Sequence, residues 1–150
     1  SSLHYVFSGE QNAPVTLPLT GTATYDVIGS TSPTDASGHV GTMNSATLAA
    51  NFTNRTADAS VNITVAGQTL NGVANAMPIY RDQYFSAYTP SSMPGASPSS
   101  QLILTCQPSC GPAGGSLDGF FAGRTGQGAG VNYNFNGNAG AVAFRRRGGG

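Results

Sequence analysis

The 150-residue sequence predicts an all-β domain, an antiparallel up-and-down β-barrel of about eight strands, with a β-sandwich as the alternative. Three observations carry this expectation. Apolar and polar residues alternate strictly in several runs, turn formers separate those runs, and no stretch keeps a helical period of apolar positions.

The first extended run is residues 3–7, followed by a spacer, and residues 22–28 form the next. In residues 46–52, Ala46, Leu48, Ala50 and Phe52 share one face. In residues 57–65, Ala59, Val61, Ile63 and Val65 share a face, with Asn62 and Thr64 on the other. A one-residue slip would move each set to the opposite side, so register is well specified. Further strands are expected at 69–74, 84–88, 102–105, 117–121 and 141–145. Val131, Tyr133 and Phe135 give one more alternating set. Asn54-Arg55, Gly67-Gln68 and Asn136-Gly137-Asn138 read as reversals. Residues 31–44 and 89–100 read as loops, rich in Ser, Thr, Gly and Pro, because proline cannot donate to a central ladder. The resulting division is an N-terminal strand or extension at 1–20, a barrel at 21–145 and a tail at 146–150.

Charged residues make up only 8% of the chain and the net charge is zero, so polarity comes from hydroxyls and amides. That balance excludes nucleic acid as a partner, since phosphate binding needs a clustered positive field. The one basic cluster, Arg145, Arg146 and Arg147, reads as a solvated tail or linker. No apolar run reaches the roughly 18 residues of a membrane helix.

A set of glycine- and aromatic-spaced segments resembles a known architecture. These are Gly21-Thr22-Ala23-Thr24-Tyr25, then Ser45-Ala46-Thr47-Leu48-Ala49-Ala50-Asn51-Phe52, then Gly115-Ser116-Leu117-Asp118-Gly119-Phe120-Phe121-Ala122-Gly123. Gly130-Val131-Asn132-Tyr133 and Gly140-Ala141-Val142-Ala143-Phe144 complete the pattern. Together they resemble the C-terminal β-barrel module of bacterial FecR-domain exported proteins, itself similar to the barrel domain of transferrin-binding-protein-like surface lipoproteins. The resemblance implies an exported, cell-surface or outer-membrane-associated eight-stranded barrel. No family binding residue carries over to this chain, and neither transferrin nor iron binding is implied.

Few residues suggest chemistry. The six acids, Glu10, Asp26, Asp35, Asp58, Asp82 and Asp118, form no evident pair for acid–base work. His4 and His39 are expected to be solvated or hydrogen-bonded, with no metal-ligand spacing around them. Gly115, Gly119 and Gly123 suit bends and ring contacts in a barrel wall rather than a phosphate loop. No catalytic, cofactor-binding or metal-binding residue is therefore expected. The densest aromatic and charged cluster, Tyr80, Arg81, Asp82, Tyr84 and Phe85, is the candidate interaction patch. The expected function is a non-catalytic surface module whose partner is a protein or glycan. The alternatives are a structural subunit self-associating by strand addition, with residues 1–19 entering a neighbour's sheet edge, and a small outer-membrane barrel. Membrane insertion is not expected, because the strands are short and many apolar positions are Ala.

Cys106 and Cys110, the only cysteines, are expected to close a small disulfide loop contributing about 2 kcal/mol. Intact mass of freshly purified protein should increase by two hydrogens on reduction; two thiols that alkylate before reduction would reject the bond.

Overall fold

The computed structural model describes residues 16–81, 83–89, 101–107 and 114–147. The expected strand at 3–7, His4, Glu10, Asp82, Cys110 and most of the 89–100 loop lie outside these residues. Among the described residues there are nine strands and no helix. They are β1 (Thr22–Ser30), β2 (Thr42–Asn51), β3 (Thr56–Val65), β4 (Gln68–Pro78), β5 (Tyr84–Tyr88), β6 (Leu102–Gln107), β7 (Gly115–Ala122), β8 (Gly128–Phe135) and β9 (Asn138–Arg146).

All nine belong to one sheet, ordered β5-β7-β8-β9-β1-β2-β3-β4-β6, which curls into a nearly closed barrel. The meanders β1–β4 and β7–β9 are up-and-down, joined through the β1–β9 pair. Between them the order departs from a simple meander: β5 pairs with β7, and β6 returns to pair with β4. Every one of these pairings is antiparallel, and eight of them separate β5 from β6. An even number of reversals leaves the two end strands running in the same direction. The parallel bridge between Tyr88 and Gln101 sits at this seam.

Short turns set the register. Ala66 and Gly67 have φ of 52° and 79°, and Asn136 and Gly137 have 54° and 90°. Positive φ at both central residues gives the primed two-residue turn whose twist matches the flanking strands.

The alternation predicts the core. Leu48, Ala50, Phe52, Ala59, Val61, Ile63, Val65, Val131, Tyr133 and Phe135 all point inward and are buried. The rings of Phe85 and Phe121 meet at 5.3 Å, and Tyr133 and Phe135 at 5.1 Å. The outer wall carries the opposite set. Asn44 donates from Nδ2 to Asn62 and to Thr64, each at 2.8 Å, and Thr47 and Ser60 share a 2.6 Å hydroxyl bond. Asn62 in turn donates to Asn71 at 3.2 Å, extending this polar ladder onto β4.

Residues at both edges of the expected 21–145 barrel bond to it. Leu17, placed before the barrel by its position, is buried in the core, and Thr16 N–H donates to Arg124 O at 2.8 Å. The arginine cluster is not a free tail. β9 continues through Arg146, because Val142, Phe144 and Arg146 keep the inward phase of the strand. Arg147 N–H then donates to Thr24 O at 2.8 Å, and its guanidinium pairs with Asp26 at 2.8 Å.

The core rings need room that only glycine leaves. A Cβ at Gly72 would sit 2.8 Å from Phe135 Cε1, and one at Gly140 would sit 2.6 Å from Tyr133 Cζ. One at Gly119 would lie 2.5 Å from Phe85 Cε1 and 2.6 Å from Gly130 O. Gly119→Ala should therefore overpack the wall and destabilise the fold by about 1–3 kcal/mol, read as a lower denaturant midpoint. An unchanged midpoint would contradict this packing.

Candidate functional site

The candidate patch lies at the tight turn leading into β5. Tyr80 N–H donates to Tyr84 O at 2.7 Å, and Tyr84 N–H donates back to Tyr80 O at 2.9 Å. The two residues form an antiparallel bridge, so their side chains leave the same face of the sheet. That face is the outer one: Tyr80 is 54% exposed and Tyr84 50%. Arg81, exposed, occupies the turn with φ of 55°.

Phe85 does not belong to the patch. Strand alternation turns it inward, where it is buried against Phe121 and Gly119. Its place is taken by a residue the sequence cluster did not contain. Tyr84 pairs directly with Phe120 of β7, which is half-buried on the same outer face. The row Tyr80–Tyr84–Phe120 is thus built from three chain segments. Tyr88, four residues further along β5, adds a fourth ring to that face. The one available signal was the phase of β7: with Leu117 and Phe121 inward, Asp118 and Phe120 must face out. The register that brings Phe120 to Tyr84 leaves no local mark in sequence.

Beside this row, Ser86 of β5, Asp118 of β7 and Asn132 of β8 stand in register. Asp118 is reached by solvent, yet packing around its carboxyl desolvates it and raises its pKa. The patch therefore offers flat rings flanked by a hydroxyl, a carboxyl and an amide.

A second polar feature is the 31–41 loop, clipped to β9 by paired backbone bonds between Thr34 and Ala139 at 2.9 and 3.1 Å. Within it, Asp35 accepts the His39 backbone N–H at 2.8 Å and the Ser37 N–H at 3.0 Å, and contacts His39 Nδ1 at 2.8 Å. With Asn134, Gly137 and Ala139 the loop walls a cleft of about 490 Å³.

A third is a cleft of about 600 Å³ at the barrel end where β1 starts and β9 stops, reached by Arg146 and Arg147. Among the described residues no group of three His, Cys, Asp or Glu side chains is arranged to hold a metal ion. Cys106 sits half-buried on the inward side of β6, opposite Leu70.

The sequence matches no protein-family model and no curated protein.

The hydrogen bonds to Asp35, led by that from the His39 backbone, lower its pKa below the ordinary carboxylate value. The loop's support from this carboxylate is thus complete above the unfolded pKa and is lost as pH falls through the depressed folded value. In an NMR titration the Asp35 carboxyl should titrate below a free aspartate, with the His39 amide shift following it. Asp35→Ala should abolish that His39 transition; a transition that persists would reject the assignment.

Proposed function

We propose that the protein is a non-catalytic, exported cell-surface binding module that recognises glycan chains with the outer aromatic row of Tyr80, Tyr84 and Phe120. The observation that carries this reading is the pair of half-exposed tyrosines on one face. Two large rings held in water by a tight turn are a costly surface unless a ligand covers them. Flat rings stack on the apolar faces of sugars, while Ser86, Asp118 and Asn132 are placed to exchange hydrogen bonds with sugar hydroxyls. A neutral outer wall rich in hydroxyls and amides fits a ligand recognised by hydrogen bonds rather than by charge. The resemblance of the glycine and aromatic segments to FecR-associated barrel modules supports export.

Self-association by strand addition is the second reading, favoured by the seam. One strand inserted antiparallel to both β5 and β6 would convert nine strands into a ten-stranded ring in which every neighbour is antiparallel. Deleting residues 1–14 would then abolish ordered polymers seen by electron microscopy. The outer-membrane barrel has the least support, since the ladder of Asn, Thr and Ser side chains outside and the apolar set inside invert the pattern lipid requires.

The experiment is affinity electrophoresis through a panel of soluble neutral and acidic polysaccharides. Retardation by at least one of them is expected. Tyr84→Ala should weaken it about tenfold, a loss of about 1.4 kcal/mol, with an unchanged melting temperature. No retardation by any polysaccharide, or retardation unaffected in the Tyr80→Ala/Tyr84→Ala double variant, would overturn the proposal.

A further inference from the structure

The guanidinium of Arg146 stands apart from the other charges of the barrel. It is the last inward-facing residue of β9, following Val142 and Phe144. An inward arginine at the end of an apolar barrel is costly unless its charge and donors are satisfied. Arg146 is satisfied in part. One terminal nitrogen donates to Thr125 O, and the guanidinium lies 5.3 Å from the centre of the Phe52 ring. The Tyr25 hydroxyl, on the paired residue of β1, also interacts with it, and all three partners are uncharged. Its Nε–H is buried and has no hydrogen-bond partner.

The other arginine at this end is already neutralised. Arg147 holds Asp26 through two bonds to one carboxylate oxygen, at 2.8 and 3.0 Å. Asp58, the carboxylate that also lines the cleft, accepts the Ala76 backbone N–H at 2.6 Å. No described carboxylate pairs with Arg146.

The third element is space. Arg146 lines the cleft of about 600 Å³, together with Thr20, Thr22, Thr24 and Asn51. These side chains are neutral donors as well as acceptors, suited to completing the hydrogen bonds of an oxygen-rich ligand. A guanidinium without an anionic partner, an open cleft and neutral hydroxyls around it are the parts an oxyanion site needs.

We propose that this cleft binds a small oxyanion, a carboxylate or phosphate group, with Arg146 as its charged anchor. The group would sit against the Arg146 guanidinium and accept from the flanking hydroxyls, supplying the negative charge that no described residue of the chain brings to Arg146. Asp58 sets a limit on ligand charge, since a second negative group placed toward β3 would meet its carboxylate. The site is independent of the aromatic row, which lies on β5 and β7.

The test uses the full chain and two probes, inorganic phosphate and acetate, titrated at ionic strength held constant with chloride. Arginine Nε–Hε resonances and backbone amides are followed by NMR. At least one probe should give saturable shifts at Arg146 Hε and at the Thr22 and Thr24 amides. Arg146→Gln should weaken that binding at least tenfold, while Arg145→Gln, on the outward phase of β9, should leave it unchanged. If Arg146→Gln fails to fold, Arg146→Lys replaces it: the charge stays, the planar fork of donors is lost, and binding should still weaken about tenfold. Shifts that never saturate, that chloride alone reproduces, or that persist equally in the Arg146 variants would overturn the proposal.

Discussion

The structure depends on filling a fixed interior. A barrel of this size has no hydrophobic layer other than the side chains its own strands turn inward, so every strand must contribute to one shared volume. Phe85, Phe121, Phe135 and Phe144 are the largest side chains in that volume, and all four are fully buried. Their rings reach across or along the wall, and the strands they approach answer with glycine. Gly72 on β4 yields to Phe135 from β8, and Gly119 on β7 yields to Phe85 on β5. The high glycine content is therefore part of the packing. It trades strand propensity, which glycine lowers, for ring volume that a Cβ would exclude.

Strand number imposes a second constraint. A ring in which every neighbour is antiparallel needs an even number of strands, and this one has nine among the described residues. The mismatch falls between β5 and β6, where the directions agree and one parallel bridge joins them. The β5/β6 exchange in sheet order follows from the same geometry. A chain leaving β5 must travel back along the barrel before it can start β6 in the same direction, which a two-residue turn cannot do. The long proline-rich connection between Thr89 and Gln101 supplies that length.

The strands were legible because alternation is a local property. Val61, Ile63 and Val65 reveal their face within five residues, and the inward set observed there is the one the pattern requires. Sheet order was not legible at β5 and β6, since nothing within Tyr84–Tyr88 or Leu102–Gln107 records which neighbour each will pair with. The place of Phe85 was not legible from the cluster for the same reason. Sequence proximity grouped Phe85 with Tyr84, though period two separates them to opposite faces, and it could not bring in Phe120 from β7. The arginine cluster was misread by a different route. A terminal run of charge resembles a solvated tail, and only the continued phase of Val142 and Phe144 shows that Arg146 must turn inward.

That inward arginine and the outward tyrosines share a physical logic. With so few charges in the chain, the outer wall of β2, β3 and β4 meets water through hydroxyl and amide ladders. The exceptions are the side chains that break the inside-apolar, outside-polar rule. Tyr80 and Tyr84 break it by holding apolar rings in water, and Arg146 breaks it by carrying charge to the mouth of an apolar core. Each exception costs folding free energy, and neither is needed to close the sheet. The barrel tolerates them because the rest of its packing is consistent, with the alternation of β2, β3 and β8 satisfied almost without fault. Stability built into the unexceptional strands is what lets the exceptional side chains persist.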